Sequence, residues 1–267
     1  MLLWMIIQIL AESLPISSSG HVLLVQRWYE KLGYIVPSEQ IEQINFLLHG
    51  PALIIMIWYF FTTWSEIIVG KQIALQDLFK ITTYKKIFWP CSFILIVDII
   101  TFIFWKFKIF QIQNIDRYFL TFGFVMTAIM IYFTQFTQGR KKIDFVWWQA
   151  IVFAVAQSIA FLPGISRFAI TFLTARCLGY AAYNSFAFSF LIQFPLVVAA
   201  CIKSSLLIYH NDINIDQVFN FWVLLGMVPL TYLSYKIFSW VGRMIVQNKI
   251  WYFSFYMILP IIISILV

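Results

Sequence analysis

Charge is scarce in this chain: aspartate, glutamate, lysine and arginine make up only 11% of its 267 residues, while apolar residues make up 62%. So few polar groups cannot cover the surface of a water-soluble globule of this size, so a soluble fold is excluded and the surrounding solvent is lipid. No polar stretch long enough for a soluble domain separates the apolar segments, so a single membrane domain over 1–267 is expected. Cysteine is nearly absent. Cys91, Cys177 and Cys201 stand alone in apolar sequence, without the spacing of a metal site or a disulfide framework. The N-terminus lacks the basic start and small-residue cleavage site of a signal peptide, so no segment is expected to be removed. A net charge of +7 does not point to nucleic acid, because the lysines and arginines sit in short loops between apolar segments. Positive-inside topology accounts for them.

What is present is a series of apolar runs near the ~20 residues that span a bilayer as a helix. They fall at about 44–64, 88–105, 118–137, 183–209, 218–238 and 250–267, which reads as six spanning helices. Two further apolar stretches, about 1–29 and 147–178, are broken in the middle, at Pro15 to Gly20 and at Pro163 to Ser166. Non-helical backbone at membrane depth is tolerated only inside protein or beside a wet cavity, so these read as re-entrant helix-loop-helix hairpins. They also resemble each other. Gln8-Ile-Leu-Ala11 leads through Leu14-Pro15-Ile16 to Ser17, and Gln157-Ser-Ile-Ala160 leads through Leu162-Pro163-Gly164-Ile165 to Ser166. Paired broken segments in corresponding halves point to a binding site at a repeat interface. The expected fold is therefore an all-α, polytopic integral membrane protein with about six transmembrane helices and two inverted-repeat re-entrant hairpins. Loop charges orient it. Lys71, Lys80, Lys85 and Lys86 in 65–87, and Arg140, Lys141 and Lys142 in 138–146, place those loops inside. Asp212 and Asp216 in 210–217 place that loop outside, whereas Lys106, Lys108 and Arg117 in 106–117 break the pattern.

A charge near the bilayer centre costs about 2.5–3.5 kcal/mol on insertion scales, so ionisable residues there are functional candidates. Glu12, His21 and Arg167 stand out, each within one of the broken stretches. Ser17-Ser18-Ser19-Gly20 reads as the start of a half-helix whose free N–H groups and positive end favour an anion, with hydroxyls as added donors. Ser166 and the guanidinium of Arg167 supply the second break with a fork that matches phosphate oxygens. Glu12, with the Gln8 carbonyl one turn earlier, offers hard oxygen ligands for Mg²⁺ or Ca²⁺. His21 has the chemistry of an acid, base or phosphate donor. His49 and His210 read instead as satisfied core residues, Asp98 as a helix-helix hydrogen bond or an interfacial group, and the 29 phenylalanines as lipid-facing and interfacial material.

QILAESLPISSSGH at 8–21 and LPGISRFAIT at 162–171 resemble the two signature regions of the undecaprenyl-diphosphatase family of bacterial inner membranes, and FSFLIQFP at 188–195 extends the similarity. The resemblance implies a multi-pass, divalent-metal-dependent phosphatase that removes the terminal phosphate of a C55 polyprenyl diphosphate and recycles the carrier lipid for cell-wall synthesis. Its partners would be that lipid and the membrane, without nucleic acid, and a homodimer is left open. It places Glu12 and Gln8 on the acidic, metal-binding motif, Ser18 on the candidate nucleophile and His21 on the family's histidine. Ser166, Arg167 and Thr171 fall on the phosphate-binding residues of the second region. Phe168, Ala169 and Ala187 depart from the family pattern, which keeps a catalytically impaired member in view. Broken, repeated helices also build secondary carriers, so a lipid or anion translocase is the competing class.

Overall fold

The computed structural model describes residues 2–34, 48–69, 81–107, 117–143, 145–209 and 221–267. Among them the chain is helical, without a β-strand. The helices are α1 (Leu2–Ala11), α2 (Ser18–Lys31), α3 (His49–Val69), α4 (Ile81–Lys106), α5 (Arg117–Phe133), α6 (Trp147–Ile159), α7 (Arg167–Cys177), α8 (Ala182–Tyr209), α9 (Phe221–Val246), α10 (Phe253–Tyr256) and α11 (Ile258–Leu266). The protein is an all-α, polytopic membrane protein.

Four stretches are long and apolar enough to cross a bilayer: His49–Ile68, Phe88–Lys106, Tyr118–Phe136 and Ala182–Lys203. The expected segments at 218–238 and 250–267 correspond to a helix pair, Leu225–Val246 and Ile250–Leu266, bent by 116° at a short break. By length and composition the described residues give four spans, or five with the bent pair as one. Two local features make the last segment depart from one straight helix. Asn248 takes a left-handed φ of 54°, where Lys249 N–H reaches the Met244 carbonyl at 2.7 Å and Asn248 N–H reaches Ile245 at 3.0 Å, which terminates α9. Pro260 then lacks the N–H that would continue the helix onto the Tyr256 carbonyl, and the chain breaks at Met257. Lys71, Lys80, Lys108, Asp212, Asp216 and His210 lie outside the described residues.

Both expected interruptions are present, and they are built alike. After α1, Ser13 and Leu14 tighten onto carbonyls three residues back at 3.1 Å, Pro15 ends the ladder, and Ser17 caps α2 by accepting Gly20 N–H at 3.2 Å. After α6, Phe161 and Leu162 tighten in the same way, Pro163 and Gly164 (φ 84°) turn the chain, and Ser166 caps α7 by accepting Ala169 N–H at 3.2 Å. With ten and fourteen residues, α1 and α2 rise only about 15 and 21 Å, short of a ~30 Å hydrocarbon core. The same holds for α6 and α7, with thirteen and eleven residues. Each pair packs arm against arm, as a hairpin does. Packing between halves is exchanged: α1 lies on α9 of the second half, α6 lies on α4 of the first, and α3 meets α8 as α5 meets α11.

The aromatic residues divide between two environments. Trp58, Phe88, Phe122 and Phe136 are exposed as expected of lipid-facing groups. Phe60, Phe168, Phe186, Phe190 and Phe238 are instead 0–5% exposed and form one interlocked cluster, with centroids 4.9 Å apart for Phe60–Phe186 and Phe190–Phe238. This core lies against the region where the two interruptions meet.

They meet at glycine. A Cβ on Gly20 would stand 2.8 Å from the Gly164 Cα and 2.8 Å from the Phe124 ring, whereas one on Gly50 would meet nothing within 4 Å. Gly20→Ala should therefore destabilise the fold by about 1–3 kcal/mol through overpacking against backbone. Gly50→Ala should leave the thermal unfolding midpoint in detergent unchanged or slightly raised. Equal midpoints for the two variants would show that the halves are not in contact at Gly20.

Candidate active site

Because Ser17 and Ser166 cap α2 and α7, the amino ends of both helices lie at the junction of the two hairpins. The first N–H groups of a helix lack internal partners and carry the positive end of its dipole. Ser17, Ser18 and Ser19 from one hairpin and Ser166 and Arg167 from the other line a cavity of about 300 Å³. Gln8 and Glu12 from the α1 side close it, with His49 at the start of α3, and Phe168 and Phe190 give it one aromatic wall. Thr127 braces the second break by donating its hydroxyl to the Gly164 carbonyl at 2.8 Å and accepting Ser166 N–H at 2.9 Å.

The charges in this cavity are arranged asymmetrically. Glu12 Oε1 lies 3.0 Å from His49 Nδ1, and Ser18 lines the same cavity as the carboxylate. Arg167 has no acid within ion-pair distance among the described residues, and its buried Nε has no hydrogen-bond partner there. Glu12 and Asp98 act on it only through their fields. Its guanidinium carbon sits 5.7 Å over the Phe161 ring, a contact that holds the plane without consuming its donors. A cation that cannot be deprotonated, with donors left over and two helix amino ends beside it, is suited to a multiply charged anion.

Gln8, Glu12, Ser17, Ser18, Ser19, Ser166 and Arg167 are thus gathered in one place. Three other expected site residues are not. His21 faces away from the cavity: its Nδ1 meets the Ser17 carbonyl at 2.6 Å, its Nε2 lies 3.2 Å from the Tyr256 hydroxyl, and its ring stacks on Tyr256. The three-residue spacing from Ser18 puts both residues on α2, but the serine points into the cavity and the histidine toward α10. Thr171 is fully buried and turns back on its own helix, donating to the Arg167 carbonyl at 2.8 Å. Gly20 contributes through its contact with Gly164 rather than through the cavity wall.

His49, read from sequence as a core residue, is the partner of Glu12. No local motif marks it, since its position follows from the packing of α3 on α1. Gln193 also lines the cavity, its amide held by the Ser189 carbonyl at 2.8 Å. Asp98 does form the helix-helix hydrogen bond, accepting from Gln157 Nε2 at 3.1 Å.

The family model described as "Bacitracin resistance protein BacA" matches residues 1–263. The chain belongs to this family. Its similarity to curated members runs over nearly the full length. It is 28% identical over 262 residues to the undecaprenyl-diphosphatase of Borrelia recurrentis, covering 94% of this chain and 92% of that one. It is 29% identical over 268 residues to that of Thermotoga petrophila, covering 98% and 97%, and 28% identical over 259 residues to undecaprenyl-diphosphatase 1 of Bacillus cereus, covering 94% and 90%.

Phe168, Ala169 and Ala187, which the resemblance reads as departures, leave the cavity's polar groups in place. Phe168 is built into the aromatic wall, its ring 5.0 Å from that of Phe190. Ala169 supplies the N–H that Ser166 caps, and Ala187 is buried with its carbonyl accepting the Trp64 indole N–H at 2.8 Å. Since Arg167 opens into the cavity and His21 does not, calorimetric titration with inorganic pyrophosphate should separate them. Arg167→Ala should lose about 1.5–3 kcal/mol of affinity, the worth of a charge-assisted hydrogen bond. His21→Ala should bind as the parent does, and an equal loss in both variants would place the histidine in the cavity after all.

Proposed function

We propose that this chain hydrolyses undecaprenyl diphosphate to the monophosphate and phosphate in the bacterial inner membrane, recycling the carrier lipid for peptidoglycan synthesis. One observation carries the reading: a guanidinium without an acid partner and two capped helix amino ends converge on a single cavity beside a carboxylate. Its relatives are named for hydrolysis along nearly the same length, and none of those compared is named for transport.

The donors suit a hard divalent cation. Glu12 and Gln8 offer oxygen, and among the described residues no group of three His, Cys, Asp or Glu forms a complete metal site. Mg²⁺ is commonly held by one or two carboxylates together with substrate phosphates, so Glu12 and Gln8 would hold the ion once a diphosphate is present. When bound, it would withdraw charge from the diphosphate and favour the leaving group.

The chain's own residues then have separate tasks. Arg167, Ser166 and the α2 and α7 amino ends grip the terminal phosphate. The Ser18 Oγ attacks the terminal phosphorus, and Glu12, which lines the same cavity, takes the proton. The bond from that phosphorus to the bridging oxygen breaks, and the lipid monophosphate leaves with the electron pair. Water then attacks the phosphoserine, Glu12 returns its proton to Oγ, and inorganic phosphate carries away the protons of the water. His49 holds the Glu12 carboxylate toward the serine.

Phosphate release by purified protein should stop in excess EDTA and return with Mg²⁺ or Ca²⁺. Glu12→Gln should lower kcat by about 10²–10⁴, the usual worth of a general base, with Gln8→Ala milder. Turnover that persists in chelator would remove the cation from the reaction.

Double-variant kinetics address the nucleophile. Groups that act as a unit are strongly non-additive, so Ser18→Ala combined with Glu12→Gln should be little worse than either alone. Ser18→Ala combined with His21→Ala should instead multiply the separate losses, because the two side chains point to different places. Multiplication in the Ser18 and Glu12 pair would favour a water nucleophile over Ser18.

A further inference from the structure

The polar cavity, at about 300 Å³, takes a diphosphate, and the apolar remainder of any lipid that delivers one has to leave it. Leaving through polar walls is costly, because ionised groups there would lose hydration without gaining partners. An apolar chamber of about 320 Å³ lies next to it, between α1, α2 and α11. Ala11, Leu14 and Ile16 line both spaces, so the Leu14-Pro15-Ile16 turn of the first break is the partition between them. Beyond the partition the walls are aliphatic, with Leu10 from α1, Leu24 from α2, and Leu259 and Ile263 from α11. Among the described residues that line it, the only polar side chains are His21 and Tyr256, which are bonded and stacked on one another. Tyr256 and Leu259 are also exposed, so the chamber is open rather than sealed.

A larger apolar groove of about 940 Å³ runs between α3 and α9, past Trp58, Val228 and Tyr232. Among the described residues it shares no lining residue with the polar cavity. Size favours that groove, but adjacency to the polar cavity favours the chamber, and a ligand that is one molecule has to reach both spaces.

We infer that the α1–α2–α11 chamber seats the first isoprenoid units of the substrate's tail, the remainder passing sideways into the bilayer. The inference rests on the prenyl-diphosphate reading above. On it, His21 and Tyr256 stand at the wall of the tail's path, which accounts for a histidine beside the phosphate cavity that does not enter it.

The test uses the full-length protein in detergent with C15 and C55 prenyl diphosphates. Ile263→Trp fills the chamber from α11 and should raise KM for both substrates about tenfold while kcat changes little, the signature of lost uniform binding. Val228→Trp fills the α3–α9 groove and should leave KM unchanged. A KM unmoved in a folded Ile263→Trp protein, or a rise produced by Val228→Trp instead, overturns the assignment. The unaltered protein gives a second measurement that does not depend on either variant folding. A C15 diphosphate with a diazirine on its first isoprenoid unit should, on irradiation, label peptides containing Leu10, Leu259 or Ile263. Label confined to Trp58, Val228 or Tyr232 overturns the assignment. Labelling needs no turnover, so failure of the parent protein to release phosphate would count against the hydrolase reading alone.

Discussion

Backbone groups at membrane depth cannot be left to water, and the rest of this structure follows from how two helices are interrupted under that constraint. At each interruption a proline ends the ladder and a serine caps the next helix, satisfying one amide directly. The remaining amides of the first turn have no partner in their own helix. Both interruptions open onto the same space, so what would be a cost in lipid becomes a set of donors for an anion. Thr127 shows how closely this is balanced, because a single hydroxyl serves the Gly164 carbonyl and the Ser166 amide at once.

Within that space, opposite charges are kept apart. Glu12 is occupied by His49, while Arg167 rests over Phe161 without a carboxylate at contact distance among the described residues. Had Glu12 and Arg167 closed into a buried pair, each would have satisfied the other, and a phosphate would have had to displace a partner as well as find one. The phenylalanine wall deepens the effect, since a field acts further where the surroundings polarise poorly.

The interruptions were legible because proline, glycine and serine occur where an apolar run should continue, and the two sites share a local pattern. Glu12 and Arg167 were legible because charge is rare enough in this chain for each instance to carry information. The orientation of His21 was not: residues three apart share a helix face only loosely, and the Ser17 carbonyl and Tyr256 together turn the ring outward. His49 escaped for the opposite reason, because its partner is 37 positions away and only tertiary packing joins them. The phenylalanines read uniformly as lipid-facing, yet hydropathy cannot distinguish an aromatic ring against lipid from one against protein. Similarly, the angle between the last two apolar segments was not legible, since a left-handed asparagine between them sets it and a late proline breaks the second.

The contact of Gly20 with Gly164 is backbone against backbone, with the Gly123 turn of α5 pressed against the same place. A rocking-bundle carrier works by letting its two repeats tilt about the ligand, exposing it to each side in turn. Tilting here would pry apart the glycine contact and take the Thr127 brace with it, so the halves behave as a keyed joint rather than a hinge. Lateral entry from the bilayer, as inferred for the tail, would let the molecule process a lipid headgroup without opening a path for ions across the membrane.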